Sequence, residues 1–489
     1  MYYLGIDLGT SSVKVLAMDD HHHIVGDVSK EYPVYYPHDK WAEQNPQDWW
    51  QQTVAAIKEL MEKFNIPQDG IKGIGFSGQM HGLVALDENN EVLLPAILWC
   101  DNRTERECEQ ITQHFGKDML REYTGNKCLT GFTAPKILWV KNNRPDVFEK
   151  IAHILLPKDY IRWQLTGRYA TDYSDASGML LLDVKNKAWS KPVCDYIGID
   201  PAVLPELVES YETTGLVSEE AKRQLGLSGD ITVVGGAGDQ AAGAIGSGTV
   251  EEGIISVTLG TSGVVFAAHK EFKVDADCRL HAFCHANGQY HTMGVMLSAA
   301  SCLKWWVENV NKELDTPSLL DEAGSAANSS VVFLPYLLGE RTPYSDPNAK
   351  GAFVGMDMNT TREAMTLAVL EGVAFGLRDS LEILIDMGIP VREIRLIGGG
   401  AKSGLWKQIM ANVFQKPIGE INTNQGGALG AAILAAVGCG VYPDVASGCK
   451  QMVHVIGTVD PQPEIFGAYD EKYKKYRSLY QHLEPWFRQ

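Results

Sequence analysis

The residues of this chain best suited to chemistry begin with a repeated tip. Leu4-Gly5-Ile6-Asp7-Leu8-Gly9-Thr10-Ser11-Ser12-Val13-Lys14 returns in near copy as Val257-Thr258-Leu259-Gly260-Thr261-Ser262-Gly263-Val264-Val265. Apolar residues on either side of Gly-Thr-Ser predict a β-hairpin in each place. Such a tip suits phosphate. Glycine admits close approach of an anion, successive backbone N–H groups point into one concavity, and the Thr and Ser hydroxyls add donors without bulk. Gly-Thr-Ser alone is ordinary hairpin punctuation, but two copies half a chain apart would clamp one polyphosphate from both sides. Asp7 stands just before the first tip, where a phosphate-bound divalent cation needs an oxygen ligand, reached through water.

Further candidates stand at predicted strand ends, where open α/β sheets bind their ligands. A strand over 71–76 runs into Ser77-Gly78-Gln79-Met80-His81-Gly82, and one over 96–99 ends in Cys100-Asp101. Gln79, His81, Asp101 and Trp99 would offer an amide, an imidazole, a carboxylate and an indole, a set suited to a neutral polyhydroxy compound. The competing readings are a satisfied core histidine and a surface ion pair at Asp101. Val233-Val234-Gly235-Gly236-Ala237-Gly238-Asp239 ends a strand in glycines and opens a small-residue helix. Asp239 is there either an N-cap or, given the access its glycines allow, a general base between a polyphosphate and the other ligand.

The nucleotide itself calls for a bare surface. Arg395-Leu396-Ile397-Gly398-Gly399-Gly400 passes from strand through three glycines toward a helix, so a purine and its ribose can lie on Gly399 and Gly400 with phosphates near the helix N-terminus. No G-x-x-x-x-G-K-[ST] stretch occurs, so the site is not of the P-loop kind. Gly73 to Gly78 matches G-x-G-x-x-G in form only, because its glycines lie inside the strand and no long amphipathic helix follows. Gly426-Gly427-Ala428-Leu429-Gly430-Ala431 reads as close helix packing, Lys158-Asp159 as a structural ion pair, and His21 to His23 as a solvated turn.

These groups need a large scaffold. At 489 residues the chain exceeds one ordinary core, and two domains are predicted, 1–245 and 246–489. Its 45% apolar and 21% charged residues are those of a globular protein, and a net charge of −18 argues against nucleic acid and anionic membranes. Nine cysteines without Cys-x-x-Cys spacing predict a reducing, cytosolic setting. Asn45-Pro46-Gln47-Asp48 opens one predicted helix and Thr360-Thr361-Arg362-Glu363 another, ending at Gly388; a third is predicted from Met296 to Val310.

With tips, strand-end Asp and triple glycine in view, the chain resembles the FGGY carbohydrate kinases of the actin-like, ribonuclease-H-like ATPase group. The resemblance runs end to end, taking in segments 131–143 and 351–371, with Ala364 where the family usually has a polar or acidic residue. It implies an α/β fold of two actin-like domains, each a mixed sheet flanked by helices, with an interdomain cleft. Ser77 to Gly82, Ala96 to Asp101 and Leu156 to Tyr160 look most like the members that phosphorylate D-xylulose. That implies ATP and Mg²⁺ as co-substrate and cofactor, Met80 and His81 on the sugar with Gln79 and Asp101 assisting, and Asp239 as base. Asp7 would act through Mg²⁺, and Thr10, Ser11, Lys14, Gly260 and Thr261 would position the phosphates. Gluconate or ribulose kinases are the alternatives within the family, and an actin-like or chaperone-like ATPase switch the alternative outside it. Oligomeric state stays open, a homodimer included.

Overall fold

The computed structural model describes residues 1–326 and 330–488. β1 (Tyr2–Leu8) and β2 (Ser12–Asp19) form the first hairpin, with Asp7 opposite Lys14. β3 (Ile24–Glu31) adds to β2 antiparallel, while β4 (Ile71–Gly78) runs parallel to β1 on its other side. Next come β5 (Thr213–Leu216), at the far edge, and β6 (Thr232–Val234), parallel to β4; β7 (Ala237–Gly238) pairs with the end of β4.

The second sheet repeats this plan. β8 (Ile254–Leu259) and β9 (Gly263–His269) form its hairpin. β10 (His281–Cys284) and β11 (Tyr290–Met296) extend it antiparallel; β12 (Glu393–Ile397) and β13 (Ile418–Ile421) follow in parallel on the other side of β8, with β14 (Val455–Val459) at the edge. Hairpin, third antiparallel strand and two parallel strands therefore occur in the same order twice, which is why the two Gly-Thr-Ser tips are equivalent in structure as well as in sequence.

Helices cover the sheets. α1 (Pro46–Lys63) starts as predicted, with Asn45 accepting the Gln47 N–H and Pro46 in the first turn, and buries Trp50, Ile57 and Met61. α2 (Pro157–Thr166) and α3 (Asp239–Gly246) belong to the first half; the predicted boundary at 245/246 falls in the last turn of α3. In the second half lie α4 (Ala300–Trp305), α5 (Arg362–Asp386), α6 (Gly426–Gly438) and α7 (Phe466–Phe487). α5 is capped by Thr361 and ends before Gly388, as expected. The helix predicted from Met296 begins only at Ala300, because Met296 still pairs with Gly263 in the sheet and the Ala299 and Ala300 N–H groups are taken by carbonyls of the second tip. No described helix is long and apolar enough to cross a membrane.

One helix ties the halves together. α6 lies in sequence between β13 and β14 of the second sheet yet packs on the first, burying Ala428, Leu429, Ala432 and Ile433 with Leu16, Ala241 and Ile245. Glycine makes this possible: a Cβ on Gly5 would stand 1.8 Å from the Ala428 carbonyl oxygen, and one on Gly75 2.1 Å from that of Ala431. α6 and α3 also cross reciprocally, a Cβ on Gly246 lying 2.0 Å from the Gly426 oxygen and one on Gly430 1.9 Å from that of Ala242. Gly73 and Gly75 are thus explained by helix contact, not by a dinucleotide.

Candidate active site

The first tip is braced from several directions. The Gly9 N–H donates to Ser12 at 3.0 Å, Tyr32 donates to the Gly9 carbonyl at 2.6 Å, and the Trp99 indole N–H reaches the Thr10 hydroxyl at 2.9 Å. Beside the tip, Asp7 is half-buried at the end of β1 and accepts the Ser77 hydroxyl at 2.7 Å on one oxygen. Burial raises its carboxyl above the usual range, against the pull of Ser77 and Lys14. The start of α6 comes close: a Cβ on Gly427 would lie 3.1 Å from both Asp7 oxygens. Lys14 donates to Gln425 at 3.1 Å and so spans the gap between the halves.

At the second tip, Gly260 N–H donates to Ser262 at 3.1 Å and leaves Thr261 exposed. Gly398 adopts φ +94° and Gly400 is bare because a Cβ there would meet the Leu259 side chain at 2.5 Å. Next to it opens a cavity of about 530 Å³ in which Gly399 and Gly400 face the apolar Leu303, Val307, Leu320 and Leu405. Its shape and lining suit a flat, largely apolar base beside glycine backbone.

Asp239 opens α3, half-buried. Burial, with the charge of Asp7 adding to it, pushes its carboxyl up to about 7, while hydrogen bonds from Gln240 pull the other way. The turn before it is clamped from below. Gly238 N–H donates to Ser174 at 3.1 Å, Ser174 and Ser210 donate to Asp172, and Arg162 donates to the Gly235 carbonyl at 2.7 Å. The fully buried Lys158 lies 2.6 Å from Asp159, 2.8 Å from Asp172 and 3.3 Å from Asp175. Burial opposes its charge, but the acids around it, Asp159 and Asp172 foremost, outweigh that and raise its pKa, while burial raises the Asp175 carboxyl against the pull of Lys158. The expected Lys158–Asp159 pair is therefore one contact of a larger network that holds Asp239.

Met80 and His81 sit against this turn. A Cβ on Gly238 would stand 2.9 Å from Met80 Sδ, and one on Gly178 2.3 Å from His81 Nδ1. His81 has φ +69°, unusual for its type, and its carbonyl is pinned by the buried Lys136 at 2.8 Å and Thr133 at 3.0 Å. His81 Nδ1 bonds the Gly178 carbonyl at 2.7 Å, and burial drives its ring down to about 3, so it is a neutral donor to Gly178 with Nε2 free to accept.

Two expected sugar contacts are engaged by protein groups. Asp101 is fully buried, and both its oxygens are taken, by the Ala42 N–H at 2.6 Å and by Arg103 at 2.7 to 3.0 Å. It steadies Arg103, stacked 3.5 Å over Trp41, and offers no oxygen to a ligand. Gln79 is buried too; its amide N–H donates to Gln44 at 2.9 Å, which in turn donates to the Thr10 carbonyl at 2.7 Å, while its Oε1 has no partner among the described residues, so Gln79 braces the first tip and keeps one acceptor open. Gln240 and Phe132, whose ring lies 4.9 Å from His81, were not singled out from sequence; Gln240 could have been, as the residue after the candidate base.

Comparison with known proteins adds to this geometry. The model of the N-terminal domain of the FGGY family of carbohydrate kinases matches residues 2–246, and that of its C-terminal domain residues 255–439. The chain belongs to the FGGY carbohydrate kinases. This family member is 38% identical to the xylulose kinase of Bacillus subtilis, over 99% of this chain and 97% of that one. Among solved structures it is similar to a xyloylose kinase from Brucella ovis, with 40% identity, a TM-score of 0.93 and coverage of 99% and 100% of the two chains. It is similar also to a gluconate kinase from Lactobacillus acidophilus, with 28% identity, a TM-score of 0.94 and coverage of 99% and 98%. The FGGY kinase fold thus accounts for the duplicated sheets and their equivalent tips.

Proposed function

We propose that this kinase transfers the γ-phosphoryl group of ATP to the 5-hydroxyl of D-xylulose, giving D-xylulose 5-phosphate in xylose breakdown. The observation that carries the reading is the contiguity of Asp239, Met80 and His81: a carboxylate near neutrality adjoins a thioether and a neutral imidazole that can hold a polyhydroxy chain. The xylulose kinases among its relatives support the same substrate. Asp239 orients the reacting hydroxyl and accepts its proton as the bond to phosphorus forms; because a carboxylate is a weak base, orientation supplies most of its effect. Thr10, Ser11 and Lys14 from the first tip and Gly260 and Thr261 from the second hold the phosphates, and Gly399 and Gly400 carry the adenosine.

Asp7 fits Mg²⁺. Among the described residues one of its oxygens has no hydrogen-bond partner and no cluster of three or more ligating side chains exists, so the ion would be held by phosphates and water with Asp7 in support. Bound there, it supplies positive charge against the β- and γ-phosphates. ATP and Mg²⁺ are met together in the cytosol, which is where we assign the enzyme.

Two further readings remain tied to observations. The likeness to a gluconate kinase keeps a sugar acid in view, and the shared fold alone keeps a switch-type ATPase in view. ADP release with ATP and Mg²⁺, measured across D-xylulose, D-ribulose, L-ribulose, gluconate, glycerol and a no-sugar blank, separates them. D-xylulose is expected to lead by a wide margin. Gluconate or another sugar in front overturns the substrate, and a blank equal to every sugar overturns the kinase.

A further inference from the structure

A sugar whose reacting hydroxyl lies at Asp239 must run along Met80 and His81 and end somewhere. Beyond His81 the rings continue: Phe132 lies 4.9 Å from it and Phe283 6.3 Å, and both meet His281, at 5.7 and 5.3 Å. His281 comes from β10 in the second half of the chain, so the aromatic row, with Phe132 and Phe283 buried in a shared core, joins the two halves. Only 7% of His281 is exposed, yet neither ring nitrogen bonds any described residue. Its ring nitrogens are not sealed from solvent, so a ligand can reach them.

Arg341 stands next to it. Thr342 exchanges hydrogen bonds with Val295 of β11 at 3.0 Å and donates to the Arg279 carbonyl at 3.1 Å, two residues before His281, so the loop is fastened to the strand pair that carries His281. The half-buried guanidinium has no ion pair and no hydrogen bond among the described residues. Its neighbour Glu340 does not compensate it: that carboxyl accepts the Leu297 and Arg341 backbone N–H groups at 3.2 and 2.6 Å, and burial pushes it up to about 8. The guanidinium charge reaches both His81 and His281, adding to the burial that keeps the two rings neutral. Lys127, the other cation facing His281, is occupied with Ser345. A planar fork of N–H donors beside two neutral imidazoles thus awaits oxygen acceptors from outside the protein.

We propose that Arg341 and His281 bind the C1–C2 end of the sugar, the guanidinium fork donating to the adjacent carbonyl and hydroxyl oxygens of an α-hydroxyketone, and so select a ketose. This rests on the xylulose reading and extends it: the first half of the chain holds the reacting end, and the second half reads the other.

The test uses the full-length enzyme with Arg341→Met, Arg341→Lys and His281→Phe, assayed on D-xylulose and on xylitol, which carries a hydroxyl where xylulose has the carbonyl. Arg341→Met is expected to raise the KM for D-xylulose ~10- to 100-fold, as loss of a charged hydrogen bond does. The preference for D-xylulose over xylitol should shrink with it, while the KM for ATP and the sugar-independent ATPase rate stay within about twofold. Arg341→Lys should fall between, and it decides the matter if Arg341→Met does not fold. A purely structural role would lower turnover of both substrates together and leave their ratio alone; that result, or an unchanged KM in folded variants, overturns the proposal. Should wild type prefer another sugar, the xylulose reading fails by itself, and the same KM comparison on that sugar still decides the roles of Arg341 and His281.

Discussion

At the scale of single residues, the chemistry turns on one carboxylate kept between its two states. Asp239 is half-buried after a glycine-rich turn and feels the charge of Asp7, and this desolvation and charge push its carboxyl up to about 7, where an exposed aspartate would have ionised long before. A base must be deprotonated to work, so kcat/KM is expected to rise from pH 5 to pH 8 with a limb near 7. Raising Mg²⁺ should move that limb to lower pH, because a cation beside Asp7 favours the carboxylate. In Asp239→Asn, kcat should fall ~10²- to 10⁴-fold with ATP affinity nearly kept, and the acid limb should vanish. A limb that stays put in the variant would assign it to another group. That Asp239 could be a base was legible from its glycines and its place before a helix. That its turn hangs on Lys158, Ser174 and Asp172 was not, because those partners lie far away in sequence and meet only through the fold.

At the scale of elements, the crossing of α3 and α6 is the joint between the halves, and its glycines fall into two physical classes. Gly430 lies against the Ala242 carbonyl, where a methyl has no room, whereas Gly243 in the middle of α3 has nothing within 4 Å of the position a Cβ would take. Gly430→Ala is therefore expected to destabilise the protein by ~1–3 kcal/mol through overpacking, and to lower kcat, because α6 starts over Asp7. Gly243→Ala should be neutral or stabilise by up to ~1 kcal/mol from helix propensity. Thermal unfolding of the pair checks this; equal shifts would mean that the crossing is not tight. The run from Gly426 to Ala431 announced close packing by composition, but the surface it packs on, the first sheet, could not be read from it.

At the scale of the whole molecule, stability carries a record of buried acids away from the cleft. Asp379 of α5 accepts the Tyr473 hydroxyl of α7 at 2.6 Å, and burial raises its carboxyl to about 7. The folded state then binds a proton more tightly than the unfolded chain, so stability is fully present below the unfolded value of about 4 and is lost as pH rises toward 7. Asp379→Asn should flatten the fall in Tm between pH 5 and pH 8, with the two proteins closest at the acid end. A steeper fall in the variant would reverse the sign assigned here.

What the sequence by itself determined is local. Hairpin tips, strand-end acids, helix caps and bare glycine turns each occupy a few consecutive residues, and their hydrogen bonds or steric demands are satisfied by near neighbours, so composition and spacing suffice to single out Asp7, Thr10, Asp239 and Gly399 as candidates. Tertiary structure decided which of those groups can meet a ligand. Asp101 carries suitable chemistry, but burial and partners from Ala42 and Arg103 take both its oxygens, while Gln79 gives its amide N–H to Gln44 and keeps only its oxygen open. His281 and Arg341 carried no local signal, and His281 meets the rings beside His81 only because strands of the second half pack against the first in one shared core, a contact between residues far apart in sequence.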